Sequence, residues 1–478
     1  MSLHDTASPE ASLATTWFAL LSAYRPMVRQ ERTFVRLMLL AVACVLSAGR
    51  HTVTRWLVTL GVGGQDWTAW YRLFNRARLH LPTLHATLLD QVLGVIPATE
   101  PVIVVAVDAT HLPRTSRHFP GAGITRAVRG LRWPRGLTIA QRFVGLSLLL
   151  PRSLDGDSRA IPLKWLLLRT AKTQPMDEEP DRTETQGGRD LVRWVRQHLD
   201  ACQRVVQQLL VLGDGAYSTA PFLADLPARV TVLARCARNR ALFALPTYRA
   251  RGRGRQPRYG ERGPTPTATL HEATDWQEVT VVVRGRTIPL TVTVTGPWLI
   301  KGAPFQPLAL IVVRGIDRRR GTTRRQRDPQ FFLVTLTMTQ EDDWSLPLPL
   351  AELLAWAWQR WEVEVMHREL KSGFGLGQQQ AFSDQGAAQV VPFVVWGYAV
   401  LILTGYRRWG LSPGNGPDLG RWYTARRWSI GQLRQEVRQE LWHLGDFQPV
   451  WTRSPDTWAE ITRWVGTQTN ALLGARPI

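Results

Sequence analysis

Up to about residue 95, apolar positions recur at the three-to-four-residue spacing of amphipathic helices. TFVRLMLLAVACVLSAG predicts one helix, HTVTRWLVTLGV (His51–Val62) a second and DWTAWYRLFNRARL (Asp66–Leu79) a third. Asp66 reads as the N-cap of the third, after the short turn GVGGQ. Two short helices joined by a glycine-bearing turn suggest a helix-turn-helix. Its second helix would offer Arg72, Arg76 and Arg78, with Trp67, Trp70, Tyr71 and Phe74 packed behind or beside them. An ordinary helical bundle with a solvated basic face fits the same pattern.

The period then changes. PVIVVAVDAT (Pro101–Thr110) is an apolar, β-branched run with a polar tip, and Ala140–Pro151 and Arg159–Leu168 read as two more strands. After a polar, proline-bearing loop come a helix (Arg189–Cys202), a strand ending in a turn (Val206–Tyr217) and another strand (Ala228–Ala237). This order fits a mixed α/β, ribonuclease-H-like core better than a doubly wound alternation. The first strand is followed by no G-x-G-x-x-G, which argues against a dinucleotide site. From about 246 the chain turns Arg/Gly/Pro-rich and then alternates, with RGIDRRRGTTRRQR between two strands. An all-β insertion with arginine-studded hairpins is expected there. Residues 350–409 return to helix, and Thr424–Leu444 is a further helical stretch. The expected units are a helical domain (1–95), the core in two parts (96–245 and 336–410), the β insertion (246–335) and a C-terminal helical region (411–478).

Composition adds a strong bias. Against 38 Asp+Glu the 478-residue chain carries 59 Lys+Arg, a formal charge of +21. Such a field draws in polyanions. Nucleic acid is the first candidate, because neutralising phosphates releases condensed counterions, and an anionic membrane the second. Cys44, Cys202 and Cys236 are far apart and unpaired in sequence, which argues against a disulfide scaffold or a zinc-cysteine site. The N-terminus lacks a charged-then-apolar leader pattern, and the apolar run Leu37–Gly49 is shorter than the ~18–20 residues of a membrane span. A soluble cytoplasmic protein, nucleoid-associated when bound to DNA and without a membrane partner, is expected.

Two aspartates end predicted strands. Asp108 closes the first, and Asp214 closes the fourth before Gly215. Acidic groups at adjacent strand ends, each after an apolar run, are costly unless a cation lies between them. Mg²⁺ takes such hard oxygen donors, although either aspartate alone could simply cap a turn. A third carboxylate stands in RWEVEVMHRELKSGFGLGQ (Arg360–Gln378). At about 100° per residue, Arg360, Glu364, His367 or Arg368, and Lys371 line one face, and Glu362 and Glu369 fall off it. A solvated face of i,i+4 ion pairs is the plainer alternative.

Together these residues resemble the cut-and-paste DDE transposases of bacterial insertion sequences. The resemblance is to the branch with a Tyr-Arg-Glu-Lys signature, spaced Y-x2-R-x3-E-x6-K. Arg360, Glu364 and Lys371 match that spacing, while VDAT at Asp108 and GDGAYS at Asp214 resemble the two aspartate motifs. The tyrosine position falls on Ala357, between Trp356 and Trp358. The resemblance implies a ribonuclease-H-like core whose catalytic, metal-holding residues are Asp108, Asp214 and Glu364, with two Mg²⁺ ions, or Mn²⁺ in their place. It implies phosphate contacts from Arg360 and Lys371, with His367 and Arg368 beside them, and the helix-turn-helix reading adds DNA contacts from Arg72 and Arg76. Trp298 would stack on a flipped base or pack in the core. The implied partners are double-stranded DNA, both the element's terminal inverted repeats and its target, and a second copy of the chain, with the helices after 411 as the interface. A nuclease without strand transfer and a non-catalytic DNA-binding derivative are the competing readings.

Overall fold

Among the described residues five α-helices precede the first strand: α1 (Leu13–Ser22), α2 (Glu31–Leu46), α3 (Val53–Thr59), α4 (Thr68–Asn75) and α5 (Leu81–Leu93). The computed structural model describes residues 12–443 apart from 63, 127–135, 151–157, 174, 177–179, 248–255, 284, 316, 321–322, 327, 340–342 and 412–426. Much of the basic loop, and most of the C-terminal region expected to dimerise, therefore lie outside the described residues. Trp67 occupies the N-cap position of α4, and Asp66 acts one residue earlier, its Oδ1 accepting from the Thr68 N–H at 2.8 Å. Trp70, Leu73 and Phe74 of α4 are buried, and Arg72 and Arg76 are exposed.

The central elements are β1 (Val102–Pro113), β2 (Gly123–Arg126), β3 (Leu137–Leu149), β4 (Ala160–Leu168), α6 (Glu184–Ala201), β5 (Gln208–Gly213), α7 (Ala220–Leu223) and β6 (Val230–Arg235). Next come α8 (Pro266–Glu272), β7 (Gln277–Val283), β8 (Arg286–Ile300), β9 (Ala303–Val313), β10 (Asp317–Arg320), β11 (Thr323–Gln326), β12 (Gln330–Thr335) and the short pair β13 (Thr337–Met338) and β14 (Trp344–Ser345). The chain then returns to helix in α9 (Leu350–Gln359), α10 (Trp361–Gly373), α11 (Asp384–Trp409) and α12 (Ile430–His443).

Ten strands form one mixed sheet in the order β2-β3-β1-β5-β6-β12-β9-β8-β7, with β4 also paired to β3. The β1–β5 and β5–β6 pairs are parallel and the rest antiparallel. Strands β7, β8 and β9, which fall in the expected β insertion, extend the same sheet, joined to β6 through β12. The reason is apolar: β9 ends in LALIVV and β12 holds FFLV, and both runs are buried, so each needs a neighbour on either side. The arginine-rich segment forms the separate hairpin β10–β11.

Side chains alternate across the sheet. Asp108 and Thr110 of β1 pair in register with Gly145 and Phe143 of β3, and Gly145 pairs with Trp165 of β4. That face carries α10. The opposite face carries α6, where Gly187 and Gly188 let the helix close onto Val144 and Val107; a Cβ at Gly187 would stand 2.7 Å from Val144. Helix α11 is the longest apolar segment described, longer than Leu37–Gly49. It meets the length and composition of a membrane span, yet 94% of its apolar window is buried inside the fold. Its Phe393 packs on Trp56 and Phe74, and its Trp396 on Tyr24. The N-terminal helices and the sheet consequently share one continuous hydrophobic core. His198 on α6 and Asp90 on α5 add a polar tie, Nε2 to Oδ1 at 2.6 Å.

Candidate active site

Three elements bring the carboxylates together. Asp108 sits within β1, which runs on for five more residues to Pro113. Asp214 follows β5 as the N-cap of a 3-10 turn, its Oδ1 accepting from the Ala216 N–H at 2.8 Å. Glu364 lies in the first turn of α10. Burial pushes the Asp108 carboxyl up to about 7; the Arg360 guanidinium opposes this, and the charges of Asp214 and Glu364 reinforce it. Asp108 therefore feels the charges of both other acids.

The cationic stripe resolves residue by residue. Helix α9 ends at Gln359 and α10 begins at Trp361, so Arg360 stands at the junction. Its Nη2 donates to Glu364 Oε1 at 2.7 Å. Lys371 Nζ donates to Thr110 Oγ1 at 2.7 Å, two residues along the strand from Asp108. Its amine is desolvated, which lowers its pKa, and Asp108 partly restores it. His367 turns inward: its Nδ1 is 3.7 Å from Asp108 Oδ2, and its ring stands edge-on to Trp165 with centroids 5.4 Å apart. Burial, then the charges of Lys371 and Arg360, lower its pKa to about 3, so the imidazole is neutral near pH 7 and this contact is not an ion pair. Arg368 is exposed.

The other two glutamates of α10 point away. Glu362 is buried and pairs with Arg427 at 2.8 Å. Glu369 accepts from the Tyr398 hydroxyl at 2.6 Å and lies 3.7 Å from Arg159. Ala357, at the signature tyrosine position, is half-buried on α9 and packs on the core. Trp298 is half-buried on β8; its indole donates to Thr295 Oγ1 at 3.1 Å and its ring covers Gly263, where a Cβ would meet it at 2.4 Å. Arg72 lines an open cleft of about 610 Å³ with Trp67, Tyr71 and Asn75. No described contact draws Trp298, Arg72 or Arg76 into the carboxylate cluster.

A family model described as DDE superfamily endonuclease matches residues 27–292. The chain belongs to this family. No curated protein matches the sequence. For the DDE superfamily DNA is the implied substrate, and divalent metals are the usual cofactors. The matched span contains Asp108 and Asp214 and stops before Glu364. The donor set suits a hard divalent cation: carboxylate oxygens from three elements, one of them held up near neutrality by burial and its acidic neighbours.

Sequence reading missed three residues near this cluster. Glu184 and Arg142 form an ion pair at 2.9 Å, and burial and then the charge of Glu184 raise the pKa of Tyr217. In the sequence Glu184 reads as part of the polar loop, with the helix expected from Arg189. The capping box between Thr183 and Gln186 starts α6 at Glu184, and the T-x-x-Q pattern was its available signal.

Proposed function

We propose that this DDE endonuclease is a cut-and-paste transposase with a ribonuclease-H-like catalytic core. It would bind the terminal inverted repeats of its element, cleave them and join them to target DNA. The observation that supports this reading is that Asp108 feels the charges of Arg360, Asp214 and Glu364, while Arg360 binds Glu364 and Lys371 binds Thr110, two residues along the strand. The three carboxylates would hold two Mg²⁺ ions, or Mn²⁺. Bound there, the cations would supply activation of a water or a 3′-hydroxyl and stabilisation of the leaving oxygen.

The chain's own residues do the rest. Arg360 presents a planar fork suited to a phosphate and, until DNA arrives, occupies Glu364. Lys371 offers a compact charge, held in place by Thr110. Neutral His367 fills the space behind Asp108 and adds no competing positive charge there. The exposed Arg72 and Arg76 suit the DNA backbone, and Trp298 is a candidate for stacking only if it leaves its seat on Gly263. Two copies of the chain would hold the two ends.

Incubating the protein with Mg²⁺ and DNA carrying the ends that flank its gene tests this reading. End cleavage and a joined product are expected, and Glu364→Gln should abolish both while leaving the gel shift of end DNA. Cleavage without joining would make the protein a nuclease. Failure of correct ends to be cleaved with either Mg²⁺ or Mn²⁺ would overturn the enzymatic reading.

A further inference from the structure

Helices α5 and α6 come together at their C-terminal ends. Asp90 stands in the last turn of α5, His198 in the last turn of α6, and Cys202 is the C-cap of α6. The His198 Nε2 lies 2.6 Å from Asp90 Oδ1, and the Cys202 Sγ lies 3.8 Å from the same oxygen. One carboxylate oxygen, one imidazole nitrogen and one thiol sulfur thus all lie within 4.8 Å of one another. Only the fold assembles them, because Asp90 and His198 are 108 residues apart in the chain. Solvent reaches the group. The side chains of Asp90 and His198 are 56% and 16% exposed, and Cys202 is exposed, whereas Cys44 and Cys236 are buried.

The backbone beneath these side chains is held in place. Gln203 is left-handed (φ 57°), and the Arg204 N–H donates back to the Leu199 carbonyl at 2.9 Å, which closes α6 in a Schellman-type turn. The Arg204 guanidinium donates to the Leu93 and Ile96 carbonyls at 3.1 and 3.2 Å, so the end of α6 is tied to the end of α5. His198 and Cys202, four positions apart, share one face. Thiolate and imidazole with a single carboxylate suit Zn²⁺, whereas Mg²⁺ takes oxygen donors. Donors around a tetrahedral Zn²⁺ stand roughly 3.3–3.7 Å apart. The Cys202–Asp90 separation is already close to that, and the His198–Asp90 hydrogen bond needs to open by only about 0.8 Å, which the exposed carboxylate permits.

We propose that Asp90, His198 and Cys202 form a Zn²⁺ site that clips α5 to α6, with a water as the fourth ligand. On binding, the cation replaces the His198–Asp90 hydrogen bond, and the Cys202 thiol gives its proton to solvent and ligates as thiolate. His198 binds through Nε2, as the neutral Nδ1–H tautomer. The clip joins the N-terminal helices to a helix of the core. It is separate from the carboxylates proposed to hold Mg²⁺, since α6 covers the face of the sheet opposite to α10.

The test is Co²⁺ titration of the full-length chain without DNA, read by the thiolate-to-cobalt charge-transfer absorption that oxygen-only sites lack. The native chain is expected to develop this band and to lose it when Zn²⁺ is added. Cys202→Ser should not develop it, although Cys44 and Cys236 remain. His198→Gln and Asp90→Asn keep the thiol and should weaken Co²⁺ binding by at least about tenfold, the least that loss of even a supporting metal-site partner causes. Zn²⁺ should also slow alkylation of Cys202 by iodoacetamide in the native chain, a readout that stands even if a variant fails to fold. No band in the native chain, a band that survives Cys202→Ser, unchanged Co²⁺ affinity in folded His198→Gln, or alkylation that Zn²⁺ does not slow would overturn the site. Mn²⁺ binding at Asp108 and Asp214 requires none of these three residues, so failure of one site leaves the other standing.

Discussion

His367 Nδ1 stands 3.7 Å from Asp108 Oδ2, with the imidazole buried, neutral and backed by Trp165. The pairing supports Asp108 sterically without supplying the positive charge that would favour its ionised form. That charge is left to Arg360 and to a cation. Replacing His367 with Ala should destabilise the protein by on the order of 2–3 kcal/mol through the cavity left behind. It should also weaken Mn²⁺ binding, because Asp108 loses its backing. Denaturant titration and metal titration on the same variant check both effects.

The Asp108 carboxyl titrates at about 7 in the metal-free fold, against an ordinary 3.8. Between those values the native state holds a proton that the unfolded chain has released, so this residue's contribution to stability falls as pH rises. The loss is complete above about 7. Metal-free protein should therefore lose stability between about pH 4 and about pH 7, at ~1.4 kcal/mol per unit of pKa difference at most. Asp108→Asn should flatten that slope, and Mg²⁺ should restore stability to the native sequence at the upper end. Urea midpoints across this range, with and without Mg²⁺, are the measurement.

Arg360 lowers the Asp108 pKa and binds Glu364. In Arg360→Ala the Asp108 pKa should rise further, so the pH midpoint for Mn²⁺ binding moves upward. DNA cleavage should fall by roughly 10²–10³, the usual effect of losing one group that stabilises transition-state charge. If the midpoint stays where it is, Arg360 does not face Asp108 in solution.

Behind α10, Glu369 is tied to the Tyr398 hydroxyl and to Arg159, which also lies over the Trp428 ring at 4.0 Å. Glu369→Ala leaves Arg159 buried without this partner and should destabilise the fold by about 3–5 kcal/mol. Glu364→Gln, by contrast, should melt near the native value and be inactive. Thermal melts of the two variants separate the structural glutamate from the proposed catalytic one.

Gly145 faces Trp165 so closely that a Cβ would lie 2.5 Å from the indole Nε1. Gly145→Ala should displace the indole, at about 1–3 kcal/mol, and through Trp165 disturb His367. Indole fluorescence and Mn²⁺ affinity should change together.

Much of this arrangement was legible in local pattern. Strands β1, β3, β4, β5 and β6, the apolar faces of the N-terminal helices and the i, i+4, i+7, i+11 stripe on α10 follow from period and composition, which act over a few residues, whereas the short β2 went unread. Glu184 escaped notice because its cap is a side-chain–backbone exchange inside a polar stretch that resembled a loop. The helix break at Arg360 escaped notice because both flanking segments read as helix. Asp66, expected as a cap, was displaced by one residue when Trp67 took that position.

By itself the sequence determined the element order, the basic charge, the acidic motifs and the spacing of Arg360, Glu364 and Lys371, all of which depend on residue identity and short-range period. Tertiary structure alone decided that β7–β9 continue the main sheet, that α11 is buried by the N-terminal helices, and that His367 turns toward Asp108. It also decided that Glu362 and Glu369 serve the core while Glu364 pairs with Arg360. The physical reason is common to these cases. Burial, register and the charge of a distant neighbour set what each side chain meets, and none of them is encoded within one helical turn of the residue concerned.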